Sequence, residues 1–295
     1  MSELVSVYLM GGLGNQLFQI FAVLSYCLEN NYNLIMPYSE KLTTGHIRNT
    51  YWETFLQGLK QFTNYENQIN IEEIYGYPIL REDKFTFENF PNMNQIIVDN
   101  INIDKMLFVG YFQSYKYFEK NEKEIFELMK LEEQQNIIRE KYYHHNTDVI
   151  SMHFRFGDYK SIQDCHPLMP FVYYINALKV ATGEYKVNSK IKILYFCEEE
   201  DNNMVNTIIH AISISEVGTN LIFEKVPDNI CDWEQMLLMS VCNHNIIANS
   251  SFSWWGAYFN KNENKKVCYP FKWFGEKMDK DVSDLFPSNW NEITF

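Results

Sequence analysis

Residues 4–16 of the chain, LVSVYLMGGLGNQ, predict how its first half folds. The apolar run at residues 4–10 predicts a short strand, which passes directly into a glycine-rich turn. Apolar residues then recur at helical spacing over residues 17–28, and residues 33–36 predict the next strand. A strand, a glycine turn, a helix and a second strand in this order open a doubly wound α/β domain.

The glycine turn GGLGNQ is a candidate anion site. Glycines between a strand and a helix let backbone N–H groups approach an anion at the helix N-terminus. Gly12, Gly14, Asn15 and Gln16 are therefore candidate ligands of a phosphate. The turn is not the dinucleotide fingerprint, because position 17 is Leu17 where that motif needs a third glycine. The alternative is a tight structural turn that Asn15 caps.

The second half of the chain alternates between strands and helices. Strands are predicted at residues 149–153, 191–197, 221–223, 245–248 and 267–269, and helices at 168–181, after 201, at 233–242 and at 251–258. This alternation predicts a parallel sheet with helices on both faces. Polar motifs follow four strands, after Met10, Met152, Phe196 and Ala248, which predicts one ligand cleft between two domains. Between the two halves, residues 38–120 are irregular, and a charged helix is predicted over residues 119–141.

Composition argues against several classes of protein. The chain has 295 residues, enough for two domains, and its net charge of −13 argues against a nucleic-acid partner. Six cysteines without CxxC spacing indicate free thiols in a reducing compartment. No signal peptide or long apolar run is present, so we expect a cytoplasmic protein without a membrane span. Residues 279–281 have the DxD form of a metal site but follow no apolar strand, and we expect no metal.

The segment HFRFGDY at residues 153–159 carries the clearest functional signal. An Arg at a strand end of an α/β cleft suits bidentate contact with phosphate oxygens, and His153 shares the face of Arg155. Gly157 lets the backbone turn away. Asp158 either holds a sugar hydroxyl, orients Arg155 or acts as a base. The alternative is a structural Arg–Asp pair that closes a loop.

Two later segments also follow predicted strands. In NSSFSWWG at residues 249–256, Ser250, Ser251 and Ser253 can cap a helix and also donate to phosphate oxygens. The two adjacent tryptophans point in different directions on a helix, which leaves one of them available to the cleft. The acidic run at residues 198–201 is either a solvated helix start or a carboxylate that accepts the N–H donors of a guanine edge.

Five segments in order resemble one known family. They are GGLGNQLFQ at 11–19, GYFQSYKYF at 110–118, HFRFGDY at 153–159, NSSFSWWGAY at 249–258 and DLFPSNW at 284–290. Over nearly the whole chain they are similar to the α-1,2-fucosyltransferases of glycosyltransferase family 11. The resemblance implies an α/β, GT-B-like fold of two Rossmann-like domains facing a central cleft. Residues 1–145 would form the mainly acceptor-side domain and residues 146–295 the GDP-sugar-binding domain.

The resemblance also implies a reaction. L-Fucose would pass with inversion from GDP-fucose to a hydroxyl of a glycan acceptor, most simply O2 of a terminal galactose, without a metal cofactor. The alternative enzyme is another GDP-sugar-dependent GT-B glycosyltransferase. Further rivals are a carbohydrate-binding protein with an inactive transferase fold and a structural α/β protein.

The resemblance gives roles to Arg155 and His153, and the residue patterns described above supply the other candidates. Arg155 would clamp the pyrophosphate, His153 would lie by the guanine, and Phe156 stands where a second Arg is common. Arg155 and Asp158 are the expected catalytic residues, with Asp164 or His166 as other candidates for the base. The expected donor ligands are His153, Arg155, Gly12, Gly14, Asn15, Gln16, Glu198, Glu199, Asn249, Ser250, Ser251 and Phe252. The expected acceptor ligands are Gln113, Tyr111, Trp52, Asp164 and His166.

Overall fold

The computed structural model describes residues 3–67, 69–98, 101–143, 148–183, 190–278 and 280–295. The chain forms two compact units. The first comprises Met1–Gln134 and Asp281–Pro287, and the second comprises Gln135–Lys280 and Ser288–Phe295. The units therefore change between residues 134 and 135, and a short segment near the C-terminus returns to the first unit.

The first unit is built on a four-stranded parallel sheet in the order β2-β1-β8-β5. The strands of the whole unit are β1 (Leu4–Val7), β2 (Asn33–Leu34), β3 (Lys41–Leu42), β4 (Arg48–Asn49), β5 (Ile79–Arg81), β6 (Ile97–Val98), β7 (Ile101–Asn102) and β8 (Lys105–Val109). Its helices are α1 (Leu13–Asn30), α2 (Asn64–Asn67), α3 (Ile71–Tyr75) and α4 (Glu122–Leu128). The pairs β3–β4 and β6–β7 are small antiparallel ribbons beside the main sheet.

The predicted opening of the fold is confirmed, with changed boundaries. β1 ends at Val7 rather than at residue 10, and α1 begins at Leu13 rather than at residue 17. Gly11 adopts φ +80, a left-handed conformation that favours glycine, so the chain turns early into the helix. α1 is buried along most of its length, and Phe21 meets Phe118 edge-on with ring centroids 5.4 Å apart.

Two predictions for the middle of the chain were wrong. The region predicted to be irregular contains β5 and β8, and β8 lies between β1 and β5 inside the sheet. The single charged helix predicted over residues 119–141 is two helices, α4 and α5 (Leu131–Tyr142). The break falls at Lys130, whose φ of 55 is incompatible with a continuous right-handed helix.

The second unit is built on a six-stranded parallel sheet in the order β11-β10-β9-β12-β13-β14. Its strands are β9 (Val149–His153), β10 (Ile191–Phe196), β11 (Leu221–Lys225), β12 (His244–Ile246), β13 (Val267–Pro270) and β14 (Asn291–Ile293). Its helices are α6 (Phe171–Thr182), α7 (Asn202–Ser213), α8 (Asp232–Ser240) and α9 (Ser251–Tyr258). The prediction that residues 267–269 form the last strand was wrong, because β14 follows and pairs with β13.

Helices cover both faces of this sheet, as predicted. On one face, Ile150 and Met152 of β9 belong to a buried cluster with Tyr173 of α6 and Val205 of α7. On the other face, the amide of Asn245 donates to Ser151 Oγ (2.7 Å) and to the carbonyl of Met239 in α8 (2.8 Å). These contacts place the alternating residues of β9 against different helices, as expected for a buried parallel strand.

The protein is thus an α/β protein of the GT-B-like class, with one parallel, Rossmann-like sheet in each unit. All six cysteines are free thiols. In the part of the chain that the structure describes, no helix has both the length and the hydrophobicity required to span a bilayer.

Candidate active site

The loops that follow β9 and β10 lie side by side. The register pairs His153 with Phe196 at the ends of the two strands, and the N–H of Phe154 still donates to the carbonyl of Phe196 (2.8 Å). Parallel strands end at the same edge of a sheet, where α/β proteins bind their ligands. Residues 154–161 and residues 197–201 therefore form one candidate site in the second unit.

Arg155 is the basic centre of this site. Its guanidinium forms ion pairs with Asp158 in its own loop and with Glu198 after β10. It also lies over the ring of Tyr159, with the guanidinium carbon 4.6 Å from the ring centroid. Three partners thus hold the guanidinium, while 18% of the side chain stays exposed. The contact with Asp158 is one that both the orienting role and the structural alternative predicted, and the contact with Glu198 brings a second predicted residue to the same group.

His153 is buried and uncharged. Burial, and secondarily the charge of Arg155, lowers the pKa of His153 to about 3. The ring lies 5.7 Å from that of Phe252, and Nδ1 is buried without a hydrogen-bond partner among the described residues. A neutral imidazole keeps one donor and one acceptor. His153 can therefore hydrogen-bond to a nucleobase or a sugar but does not add positive charge.

The turn after Arg155 depends on a glycine and on a buried carboxylate. Gly157 has φ +39, and a Cβ there would lie 2.6 Å from Nη1 of Arg155 and 2.8 Å from Oε2 of Glu198. The N–H of Gly157 donates to Oδ2 of Asp201 (2.8 Å), and Asp201 also forms an ion pair with Lys160. Any larger residue at position 157 would displace Arg155 or Glu198.

An aromatic stack borders the site on the side of Tyr159. The rings of Tyr159 and His166 stack with centroids 4.5 Å apart and an interplanar angle of 20°, and Phe274 lies 5.7 Å from His166. Burial lowers the pKa of His166, and the charge of Asp158 opposes this shift. His166 is therefore neutral near neutral pH. Its Nδ1 is buried and has no hydrogen-bond partner among the described residues.

Three carboxylates after β10 lie beside two cations from the loop after β9. Oxygens of Glu198, Glu200 and Asp201 lie within 4.8 Å of one another, which is the arrangement of a candidate cation site. Two basic side chains already serve these groups, since Arg155 pairs with Glu198 and Lys160 pairs with Asp201. Glu199 begins a short 3₁₀ turn and is exposed.

In the segment after β12, Ser250 caps a helix and Asn249 bonds to two other loops. Ser250 is the N-cap of α9, and its hydroxyl accepts the N–H of Phe252 (3.3 Å), which confirms the predicted cap. The amide of Asn249 donates to the carbonyls of Pro167 (2.9 Å) and Trp273 (3.1 Å). Its Oδ1 is buried without a hydrogen-bond partner in the described residues, and Ser251 is partly exposed at the first turn.

Neither tryptophan of α9 is available to a cleft. Trp254 and Trp255 are both fully buried. Trp254 stacks on Tyr258 with ring centroids 4.7 Å apart and meets Trp290 at 5.4 Å. Both indoles therefore belong to the core that supports α9.

In the first unit, some of the predicted donor ligands of the glycine turn already have structural roles. Gly12 is the N-cap of α1 in extended conformation. The buried amide of Gln16 donates to the carbonyls of Gly11 (3.0 Å) and Asn49 (2.9 Å), while its Oε1 has no hydrogen-bond partner among the described residues. Gln16 thus ties the turn to β4. Gly14 lies in the first turn of α1.

The loop after β8 carries two predicted acceptor ligands. Gln113 donates through Nε2 to Oδ1 of Asn15 (2.8 Å), which joins this loop to the glycine turn. The carboxylate of Glu82 accepts the backbone N–H groups of Tyr111 and Phe112, both at 2.8 Å. Phe112 has φ 51, so this loop adopts a conformation that a bulky residue rarely takes unaided.

The remaining predicted residues lie elsewhere. Trp52 is buried in the first unit, and its Nε1 has no hydrogen-bond partner among the described residues. Asp164 is exposed and forms an ion pair with Lys277 (2.6 Å), which lowers the pKa of Asp164. Of residues 279–281, Asp279 lies outside the described residues.

The sequence did not single out three residues that support these loops. Asp201 and Glu82 each follow a strand and accept backbone N–H groups from the neighbouring loop. Asp284 accepts the N–H of Phe87 (3.1 Å) and pairs with Lys116. The position directly after β5 was the available signal for Glu82, and the acidic run between β10 and α7 was the signal for Asp201. Their partners are distant in sequence and give no local pattern.

Comparison with known proteins identifies the family. A family model described as glycosyl transferase family 11 matches residues 1–294. The chain belongs to glycosyltransferase family 11. This family 11 glycosyltransferase is 26% identical over 313 residues to an alpha-1,2-colitosyltransferase of Escherichia coli, with 99% of both chains covered. It is 30% identical over 153 residues to the O-antigen biosynthesis glycosyltransferase WbnK of Escherichia coli, and the matched region covers 49% of this chain and 44% of WbnK.

Solved structures similar to this family 11 chain include the following two. One is an Arabidopsis thaliana FUT1 variant in complex with GDP, at a TM-score of 0.49 and 12% identity, with 88% of this chain and 69% of that chain covered. The other is the fucosyltransferase NodZ from Bradyrhizobium, at a TM-score of 0.45 and 11% identity, with 88% and 92% covered. The resemblance found in the five sequence segments is confirmed at the level of the family.

Proposed function

We propose that this family 11 glycosyltransferase transfers L-fucose from GDP-fucose to a sugar hydroxyl with inversion, forming an α-1,2 linkage to a terminal galactose. The observation that carries the proposal is the Arg155 guanidinium, which lies at the carboxyl end of β9 beside the neutral His153. A cation and an uncharged ring next to each other suit a donor with a charged diphosphate and a neutral base.

Departure of GDP builds negative charge on the β-phosphate, and Arg155 is the group we assign to stabilise it. A guanidinium can donate two parallel hydrogen bonds to phosphate oxygens, and a fixed donor does not have to reorganise during the reaction. Asp158 and Glu198 hold the guanidinium before the donor binds. The diphosphate would take over part of this pairing. Glu198 would then be released to accept the N–H donors of guanine.

We assign the general base to Asp158. The acceptor hydroxyl must lose a proton as it attacks the sugar, and a carboxylate is a usual base for this step. Asp158 is half exposed and is held against Arg155 through Oδ1, so the base and the phosphate clamp stand in one loop. The other candidates differ in their surroundings. Asp164 is paired with Lys277 rather than with the phosphate clamp Arg155, and the ring of His166 is stacked on Tyr159.

We propose that the reaction needs no metal ion. The leaving diphosphate would be neutralised by Arg155, with Lys160 nearby on the same loop. The oxygens of Glu198, Glu200 and Asp201 would otherwise be the ligands of a divalent ion, and they are already paired with these two cations. Addition of EDTA should therefore leave the rate unchanged, and restoration of an EDTA-inhibited rate by Mg²⁺ would contradict the proposal.

A specific observation favours one alternative donor. A relative that matches this chain over its full length is named an alpha-1,2-colitosyltransferase. Colitose is L-fucose without its 3-hydroxyl group, so a site for one sugar differs from a site for the other by one hydrogen-bonding group. The linkage in that name agrees with the proposed α-1,2 product, whereas the donor sugar does not.

The donor is tested by measuring GDP or UDP release with a panel of sugar nucleotides and a lactose acceptor. The panel should contain GDP-fucose, GDP-colitose, GDP-mannose and UDP-galactose. We expect the highest kcat/KM with GDP-fucose, and faster turnover of GDP-colitose would establish the alternative. Donor hydrolysis measured without acceptor separates an enzyme from a protein that only binds sugars.

A further inference from the structure

Asp201 is a buried carboxylate to which the chemistry above assigns no step. Its side chain has no exposed surface, and it stands directly before α7. A carboxylate in this position usually caps its own helix, yet Asp201 makes no side-chain capping bond to α7. Instead, Oδ2 accepts the N–H of Gly157 at 2.8 Å. The contact therefore joins the loop after β10 to the loop after β9.

This contact falls between the two residues to which we assign catalysis. Gly157 lies between Arg155 and Asp158, and its φ of +39 sets the direction in which the chain leaves the strand. From Gly157 the chain enters the 3₁₀ turn Gly157–Ser161, and Lys160 in that turn pairs with the same carboxylate. Asp201 thus binds the turn at its first residue and again near its end.

The ion pair explains how a charged group can serve as this support. An unpaired carboxylate is costly to bury, but one that is both hydrogen-bonded and paired with a cation is tolerated. Lys160 supplies the cation, and the hydrogen bond to Asp201 raises the pKa of Lys160.

We propose that Asp201 is a positioning residue, which fixes the Gly157 turn and so sets the places of Arg155 and Asp158 against the donor and the acceptor. The inference rests on the proposed function, because it assumes that these two residues perform the transfer. Asp201 itself would touch neither substrate. Its loss should lower the efficiency of transfer by more than the accompanying loss of stability explains.

The test compares two variants at opposite ends of β9. Asp201→Ala removes the acceptor of the Gly157 N–H after the strand. The matched control is Asn243→Ala, because Oδ1 of Asn243 accepts the N–H of Val149 at the start of the strand, also at 2.8 Å. Both substitutions delete a side-chain acceptor for one backbone N–H beside the same strand. Melting temperature, donor KM and kcat are measured for each.

We expect both alanine variants to melt at a lower temperature, but only Asp201→Ala to lose catalysis. A displacement of about 1 Å in a catalytic group can cost about 100-fold in rate, so kcat/KM for the donor should fall by about that factor in Asp201→Ala. Asn243→Ala should retain kcat/KM within about threefold, because its effect is on stability. Asp201→Asn, whose amide oxygen still accepts from Gly157, should rescue most of the loss.

A further variant keeps the test decisive if Asp201→Ala does not fold. Asp201→Glu retains the charge and the pairing with Lys160 but adds one methylene group, so it should displace the Gly157 turn and lower kcat/KM. Wild-type kcat/KM in Asp201→Glu, or equal catalytic losses in Asp201→Ala and Asn243→Ala, would overturn the inference.

Failure of the inference about Asp201 can be distinguished from failure of the proposed function. If the wild type uses a different sugar nucleotide, the proposed donor is wrong, and the same comparison of variants is made with the donor that it uses. If the wild type transfers no sugar from any donor, both proposals fail.

Discussion

Replacement of Arg155 should strongly lower the rate of sugar transfer. The guanidinium is held by Asp158 and Glu198 and lies over Tyr159, so it is in place before the donor binds. Deleting such a pre-positioned donor to a developing negative charge costs about 2.7–4 kcal/mol, or about 100- to 1,000-fold in kcat. Arg155→Ala should reach this range. It also leaves two carboxylates beside the diphosphate, so the KM for the donor should rise as well.

The variant Arg155→Lys separates the contribution of the positive charge at residue 155 from that of the bidentate hydrogen-bond geometry. Lysine keeps the positive charge but replaces a planar, bidentate donor by a single ammonium. Loss of one charge-assisted hydrogen bond costs about 1.5–3 kcal/mol, so kcat should fall by about 10- to 150-fold. Arg155→Lys should therefore be faster than Arg155→Ala and much slower than wild type.

The assay is initial-rate GDP release at saturating acceptor, with donor concentration varied to obtain kcat and KM separately. Arg139→Ala is the matched control, because Arg139 is an exposed arginine of α5 whose side chain bonds to Asn136. The control should retain wild-type kinetics. If Arg155→Ala kept kcat within about threefold of wild type, no donor contact of the expected 2.7–4 kcal/mol could be assigned to Arg155.

Three further predictions concern other groups. Asp158→Asn should lower kcat by about 100- to 10,000-fold if Asp158 is the base, and a loss below about tenfold would reduce it to an orienting group for Arg155. His153 has a folded-state pKa of about 3, so the unfolded chain binds the extra proton below about pH 6.5, and acidification favours unfolding. Between about pH 7.5 and pH 5.5 the wild type should therefore lose about 1.4 kcal/mol more unfolding free energy than His153→Gln, as measured by denaturant titration, and equal losses would contradict a buried neutral His153. Glu82→Ala should raise the acceptor KM while leaving the donor KM unchanged, because Glu82 holds the backbone of Tyr111 and Phe112; a change in the donor KM alone would contradict this role.

Local patterns predicted the parts of the fold that depend on local sequence. The strand at residues 149–153 and the helix at residues 251–258 have the predicted boundaries. These segments are strongly apolar and have clear stop signals. β8 was missed because its five residues, KMLFV, follow a polar region and show no alternation that distinguishes a strand from a buried turn. β14 was missed because it is a three-residue strand at the edge of the sheet.

The candidate site was predictable where its residues share one motif. HFRFGDY contains both Arg155 and Asp158, and the structure joins them in an ion pair. The contacts that hold this motif in place were not predictable from spacing. Asp201 is distant in sequence from Gly157, and its place in an acidic run favoured a solvated helix start. Only the pairing of β9 with β10 brings the two loops together.

The most direct test of the proposed fucosyl transfer is structural analysis of the product formed from GDP-fucose and lactose in the presence of EDTA. NMR of the purified trisaccharide identifies the anomeric configuration and the linked oxygen. We expect fucose joined in α configuration to O2 of the galactose, together with one GDP released for each fucose transferred. Failure to transfer fucose under conditions in which another sugar nucleotide is turned over, or a product linked at a different oxygen, would contradict it.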